Sequence, residues 1–278
     1  MKIVSVRINT RLAIGLAAVA VFVILGLVLP WFSPVDPRTW NAVPRNLPAS
    51  LRHPLGTTGL GQDTFWFLTW ALRTSLTVGI VVAFFATAIG VIVGLTAGFF
   101  GGLVDRALTL LMDALIVIPS LPILILLASL LKGRGSLEFI ALIMIVLNWP
   151  WPARQARAFA LTIRERDFIH TARYSGENAA KILMVEIFPY LTGWAFSNLI
   201  NTVLVAIATE SALAVIGLSS LSQATLGTMI YWALNREALL SEQWLWIGSP
   251  VVAIMALFVG LFLTSTGFET SNALRRGR

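Results

Sequence analysis

TIRERDFIHTARYSGENAAKILMVEIFP, Thr162 to Pro189, is the stretch that decides how the rest of the chain folds. With its lead-in it carries Arg154, Arg157, Arg164, Arg166, Arg173 and Lys181, in a chain that is 57% hydrophobic and only 12% charged. Apolar runs of membrane length flank it on both sides, so the stretch must lie in water at one face of a bilayer. Thr162-Ile-Arg-Glu165 fits a capping box and predicts a helix from Ile163. On that helix Phe168, Ile169 and Ala172 share a face, with Arg166, His170 and Arg173 elsewhere. Gly176 is placed to end it in a left-handed cap, and Asn178 to start a second helix carrying Ala179, Ile182, Leu183 and Ile187 before Pro189 opens the next span. Two short helices with a glycine elbow between them are therefore expected across one mouth of the bundle.

Outward from the stretch the chain is hydrocarbon. Soluble domains carry about a quarter charged residues, so 12% indicates an all-α, polytopic membrane protein. At about 20 residues per span, the 278 residues hold about six. The predicted spans are Leu12 to Phe32, Ala71 to Phe99, Leu103 to Leu131, Leu137 to Phe159, Ile187 to Ile216 and Leu245 to Phe268. Residues 1–70 make a first span and an outside loop, punctuated by proline and glycine, that ends in an interfacial helix from Asp63 to Trp70. Residues 71–278 make a five-helix core with its polar loop at about 160–189. Gly90, Gly94 and Gly98 recur every four residues, a spacing for close helix approach in lipid that is read as packing within the chain. Pro119 and Pro122 should bend the third span, and Asn148-Trp-Pro-Trp-Pro152 should break the fourth.

Thirteen of the twenty lysines and arginines fall on segments predicted inside and seven outside, which orients both termini toward the cytoplasm. The formal charge of +7 is accounted for in the same way, without nucleic acid. The chain has no cysteine, no G-x-x-x-x-G-K-[ST] and no G-x-S-x-G, so thiolate chemistry, ATP binding of the P-loop kind and serine hydrolysis have no residues to carry them. The two histidines, His53 and His170, are predicted on opposite sides of the membrane. Asp113 and Glu210 are intramembrane carboxylates that need partners. With Asn148, Trp149, Asn198 and Asn201 they are the candidates for lining a translocation path, although bonds to neighbouring helices account for both acids more simply.

The polar stretch also resembles the EAA loop of bacterial ABC importer permeases: His170-Thr-Ala172, three residues, Gly176, and Ile187-Phe-Pro189 take the places of that pattern, with His170 standing for its glutamate. His53-Pro-Leu-Gly-Thr-Thr-Gly-Leu-Gly-Gln-Asp63, Gly98 to Asp105, Asp113 with Ile118-Pro-Ser120, and Glu210 to Gly217 are similar to segments of the dipeptide/oligopeptide permease family in the same order. This resemblance implies a type I ABC importer permease fold of the second-permease type, in the bacterial inner membrane. The implied partners are a second homologous permease, two nucleotide-binding ATPase subunits and an extracytoplasmic binding protein, besides membrane lipid. No cofactor is implied in this chain, ATP and Mg binding on the ATPase subunits. The ATPase-coupling residues would be Glu165, Phe168, Ile169, His170, Thr171, Ala172, Ser175, Gly176 and Glu177. Peptide is the first cargo implied, with oligosaccharide or another small solute second. An ion-coupled secondary transporter is the alternative from another class.

Overall fold

A computed structural model of the chain describes residues 9–130 and 136–276. Helices make up nearly all of it, and among the described residues the only β pairing is an isolated bridge between Thr57 and Asp63. In chain order they are α1 (Thr10–Val23), α2 (Thr64–Phe100), α3 (Gly102–Val117), α4 (Ser120–Leu130), α5 (Leu137–Asn148), α6 (Pro150–Ile163), α7 (Asp167–Tyr174), α8 (Ala179–Lys181), α9 (Phe188–Val215), α10 (Leu226–Asn235) and α11 (Trp244–Arg276). Among the described residues four segments are long and apolar enough to cross a membrane: Thr10–Phe32, Thr64–Phe100, Ala179–Val215 and Trp244–Thr270. A fifth is the pair α3 and α4, bent by 73°. The expected fourth span is instead two short helices. The backbone bonds Trp149 to Ile145 and Ala153 to Trp149 carry the chain through their junction, while Pro150 and Pro152 withhold two others.

Several boundaries differ from those read in the sequence. The interfacial helix at Asp63 to Trp70 is the first part of α2, whose 37 residues span about 55 Å and so outreach the hydrocarbon layer. Pro119 alone makes the bend between α3 and α4. Ile118 before it is extended, as the residue before proline prefers, whereas Pro122 sits in the first turn of α4, where its missing N–H has no role. No capping box forms at Thr162. Its hydroxyl donates to the Ala158 carbonyl inside α6, and the next helix starts at Asp167 with no side-chain cap. The second short helix is not separate either: α8 passes through a π turn, Ile182–Ile187, into α9. A second π turn, Ile24–Val28, precedes Pro30. In both places the wider turn absorbs a proline that would clash with the carbonyl four residues back. The outside turn expected at Lys132 to Ser136 lies outside the described residues except for Ser136, whose hydroxyl caps α5 by accepting from Phe139 N.

At the centre stands α2, about half of whose span is buried, whereas that of α1 is mostly exposed. Its glycine stripe faces α6. A Cβ on Gly90 would come within 2.8 Å of the Trp149 carbonyl oxygen, one on Gly98 within 2.6 Å of Ala160 Cβ, and one on Gly94 would strike the Ala153 carbonyl oxygen. The facing residues Ala153, Ala156 and Ala160 are wholly buried. The every-fourth-residue glycines thus serve packing inside the chain, as read from their spacing. On another face Gly79 meets Ile207 of α9, and α1 lies along α11 through Gly15 against Thr264 and Gly267 against Leu12. The bundle has a loop end, carrying residues 33–63 and α10, and an elbow end, carrying α7.

Replacing Gly94 by Val is expected to cost about 1–3 kcal/mol or more through overpacking. Gly248→Ala, where a Cβ meets nothing within 4 Å, should be neutral or stabilising by about 0.5–1 kcal/mol. Thermal unfolding of both variants in detergent checks the contrast.

Candidate functional site

The elbow is built by fastening one short helix to the ends of two long ones. Where α2 ends its last carbonyls have no helical partner, and the Arg164 guanidinium, just past α6, donates to the Gly98 carbonyl at 2.9 Å. Gly101, at φ 67°, turns the chain away into α3. The same Arg164 reaches Glu165 at 2.9 Å. In α7 the fully buried Ile169 packs in a cluster with Leu95 and Phe99 of α2, Ile182 and Ile187 of the π turn, and Leu191 of α9; full burial of such a side chain contributes about 1.5–3 kcal/mol. Phe168 stacks on Tyr190 with ring centroids 5.7 Å apart, and the Arg173 guanidinium lies 4.8 Å over Phe99. Asp167 in the first turn and Arg173 in the last also complement the helix dipole.

Gly176 ends α7 at φ 77°. The bonds Glu177 N to Ala172 O at 3.2 Å and Gly176 N to Arg173 O at 3.0 Å make this a Schellman motif. Asn178 accepts from Lys181 N at 2.7 Å and caps α8, and Lys181 pairs with Glu177 at 2.6 Å. The hydroxyls of Thr171 and Ser175 turn back onto carbonyls of their own helix. Phe168, Ile169, Ala172, Gly176 and Glu177 thus form and fasten the elbow, while Glu165, Thr171 and Ser175 are exposed on it and His170 is half-buried. Tyr174, 90% exposed, Met184 and Val185 complete its outward surface. Sequence reading passed over these three because their solvent-facing positions depend on the turn at Gly176 and on the π turn.

The candidates for a path do not converge. Trp149 is buried in the α2–α6 seam against Ala86, Met112 and Ala153. Asn148 donates to Met144 O at 2.7 Å, and Asn198 to the Thr87 hydroxyl at 3.0 Å; Asn201 is exposed. Glu210 is buried, its Oε1 accepting from the Ser219 and Thr225 hydroxyls at 3.0 Å each, so that it ties the end of α9 to the loop before α10. Asp113 stands 3.7 Å from Arg154 with both side chains at least half exposed.

A second ion pair between α3 and α6 was not anticipated. Arg157 donates to both oxygens of Asp105, at 2.5 and 2.7 Å. The acids lie eight residues apart on α3 and the arginines three apart on α6, a spacing that could have signalled facing helix surfaces. At the loop end His53 Nδ1 meets Asp63 Oδ2 at 2.6 Å, while Asp63 Oδ1 accepts from Phe65 N and Trp66 N to cap α2. The Gln62 amide donates to Pro37 O at 2.7 Å. His53 and His170 stand at opposite ends of the bundle, so no site combines them.

Residues 90–270, which hold the glycine seam, the elbow and Glu210, match the family described as binding-protein-dependent transport system inner membrane component. The chain belongs to this family. As such a component it is a multi-pass membrane permease and not an enzyme, the ATPase being a separate subunit of these importers. Over 277 residues, 97% of this chain and 94% of the relative, it is 28% identical to the oligopeptide transport system permease protein of Mycobacterium tuberculosis. The corresponding protein of Bacillus subtilis is 32% identical over 76% of this chain and 69% of its own length. The dipeptide transport system permease protein of Haemophilus influenzae is 24% identical over 94% of this chain and 89% of its own. Among solved structures, an inward-facing form of the MetNI methionine ABC transporter shares the fold, with a TM-score of 0.58 at 18% identity over 75% of this chain and 96% of that one. The permease therefore has the type I ABC importer fold, and dependence on a binding protein replaces the ion-coupled alternative.

Because Asp105 and Arg157 are largely shielded, at 17% and 28% side-chain exposure, Asp105→Ala should destabilise the permease by about 1.5–3 kcal/mol. The exchange Asp105→Arg with Arg157→Asp should recover part of that loss. A double-mutant cycle on thermal stability measures the coupling.

Proposed function

We propose that this permease is one of two homologous membrane subunits of an ATP-driven importer that takes up di- and oligopeptides released by an extracytoplasmic binding protein. The observation that carries the cargo is the end-to-end similarity to the oligopeptide transport permease of M. tuberculosis, over 97% of this chain. Two ATPase subunits complete the assembly and bind ATP and Mg. Both termini and the elbow face the cytoplasm, in keeping with the inside excess of lysine and arginine. Residues 1–70 act as a flanking span and outer loop on the five-helix core of residues 71–278.

In this reading α7 seats in an ATPase subunit, presenting Thr171, Tyr174 and Ser175. Its anchoring supports the role. Ile169 is clamped between the ends of α2 and α9 and Phe168 is stacked on Tyr190, so a displacement of α7 is passed to two spans at once instead of being absorbed in a loose loop. Gly176 and Asn178 hold the angle between α7 and the helix that follows. Asp113 with Arg154, exposed between α3 and α6, and the exposed Asn201 are the polar groups best placed to meet a translocating solute. Asn148, Trp149, Asn198 and Glu210 hold the frame around them.

The test is reconstitution of the complete transporter in proteoliposomes with its binding protein. Di- and oligopeptides should stimulate ATP hydrolysis and accumulate inside. In Ala172→Pro, which breaks α7, peptide-stimulated hydrolysis and uptake should be lost while membrane insertion persists. Tyr174→Glu, at an exposed position, should weaken ATPase association without destabilising the permease. Stimulated hydrolysis unchanged in Ala172→Pro would remove α7 from the coupling role; stimulation by oligosaccharides and not by peptides would overturn the cargo.

A further inference from the structure

At the loop end a cavity of about 450 Å³ lies between α2 and α5. Arg73 stands at its polar end, its guanidinium 5.0 Å over the Trp31 ring and 5.2 Å over Trp70. No carboxylate among the described residues pairs with it. Arg38, which also lines the cavity, is already matched by Asp36 at 2.8 Å and stacks 4.5 Å over Trp70. Among the described residues the one acid lining the cavity is Glu138, in the first turn of α5. Thr74, Thr77 and Gln223 add polar groups to the lining, and along α2 and α5 beyond Thr77 the wall is apolar, through Val78, Val81, Phe85, Ala141, Leu142 and Ile145. Val81, Phe85 and Leu142 are 39%, 48% and 55% exposed, so this slot opens sideways.

Each part selects for the same ligand. Lying over two indole rings, Arg73 is held in place by cation–π contact, and its N–H donors remain available to an anion. A fork of such donors suits phosphate oxygens. The side chains of α2 and α5 beyond Thr77 offer no hydrogen-bonding group to the amides of a peptide, whose unpaired burial would be costly, whereas a hydrocarbon chain loses nothing there. Trp31 and Trp70 mark headgroup depth. The lone Glu138 makes the site complementary to an ammonium as well as a phosphate. We infer that this cavity holds one glycerophospholipid with an amine-bearing headgroup, its phosphate on Arg73, its ammonium toward Glu138 and one acyl chain along the α2–α5 slot.

The assembled transporter, delipidated in detergent and titrated with phosphatidylethanolamine or phosphatidylglycerol of the same acyl chains, can be followed by native mass spectrometry. One phosphatidylethanolamine per permease chain should be retained in preference to phosphatidylglycerol. Arg73→Gln should weaken retention by about tenfold or more, the loss of one charge-assisted contact, and Arg73→Lys, which keeps the charge but not the planar fork, should restore only part of it. Glu138→Gln should abolish the preference between the two lipids, and Leu142→Trp, which fills the slot, should weaken both. Glycerophosphoethanolamine without acyl chains should not compete. Undiminished retention in Arg73→Gln, competition by the free headgroup, or displacement by a dipeptide would overturn the assignment. If Arg73→Gln does not assemble, full retention in Leu142→Trp overturns it equally.

Discussion

Backbone contact between α2 and α6 is the constraint on which the remaining structure depends. In lipid no difference in hydrophobicity drives two apolar helices together, so close packing must do it. Here Gly90 meets Pro152 and the Trp149 carbonyl, while Gly94 and Gly98 meet the buried Ala153, Ala156 and Ala160 and the carbonyls between them. The interface is narrow because the α2 side carries no side chain at these three positions and the α6 side answers with methyl groups and the compact ring of Pro152. That narrowness places the arginines. Arg157, one residue past Ala156, reaches Asp105 of α3, and Arg164, beyond Ala160, reaches back to the end of α2. A wider seam would carry both guanidinium groups out of range.

The elbow inherits its position from that seam. Since α6 is held in register against α2, its last turn delivers α7 to the ends of α2 and α9, where Ile169 is fully buried. The π turn before Pro189 then lets the chain pass into α9 as one continuous helical span, with α7 fastened at its base through Ile169. Proline acts here by widening a turn, in contrast to Pro119, where the extended Ile118 breaks the helix outright. The difference is what precedes each proline: a π turn that makes room for the ring, or an abrupt change of backbone conformation.

At the opposite end polar side chains do structural work. Asp63 caps α2 with one oxygen and holds His53 with the other, which explains why these residues close the two ends of a glycine-rich segment. Glu210 gathers Ser219 and Thr225, and Thr225 in turn caps α10 through a reciprocal pair with Thr228. A buried carboxyl group is costly unless it is hydrogen-bonded; the Ser219 and Thr225 hydroxyls supply bonds to Oε1 from an irregular loop, while the buried Oε2 has no partner among the described residues. Intramembrane position alone therefore says little about contact with a solute.

The membrane class, the polar stretch, the cap at Gly176, the cap at Asn178 and the intrachain use of Gly90, Gly94 and Gly98 were legible in the residues themselves, since each rests on local backbone chemistry or on the period of one helix. Family likeness was legible too, because its motifs are contiguous. What the sequence alone misplaced was any feature set by a neighbour. A capping box fitted Thr162 to Glu165, but Thr162 lies in the last turn of α6 with its hydroxyl on the Ala158 carbonyl, and the next helix starts only at Asp167; Pro122 looked equivalent to Pro119, but only one falls where a backbone donor is needed. The partners of Asp105, Asp113 and Glu210, and the contact of Arg73 with Trp31 and Trp70, were decided by tertiary structure alone. Pairing of charges across helices depends on rotation and register, and no single helix's sequence carries that information.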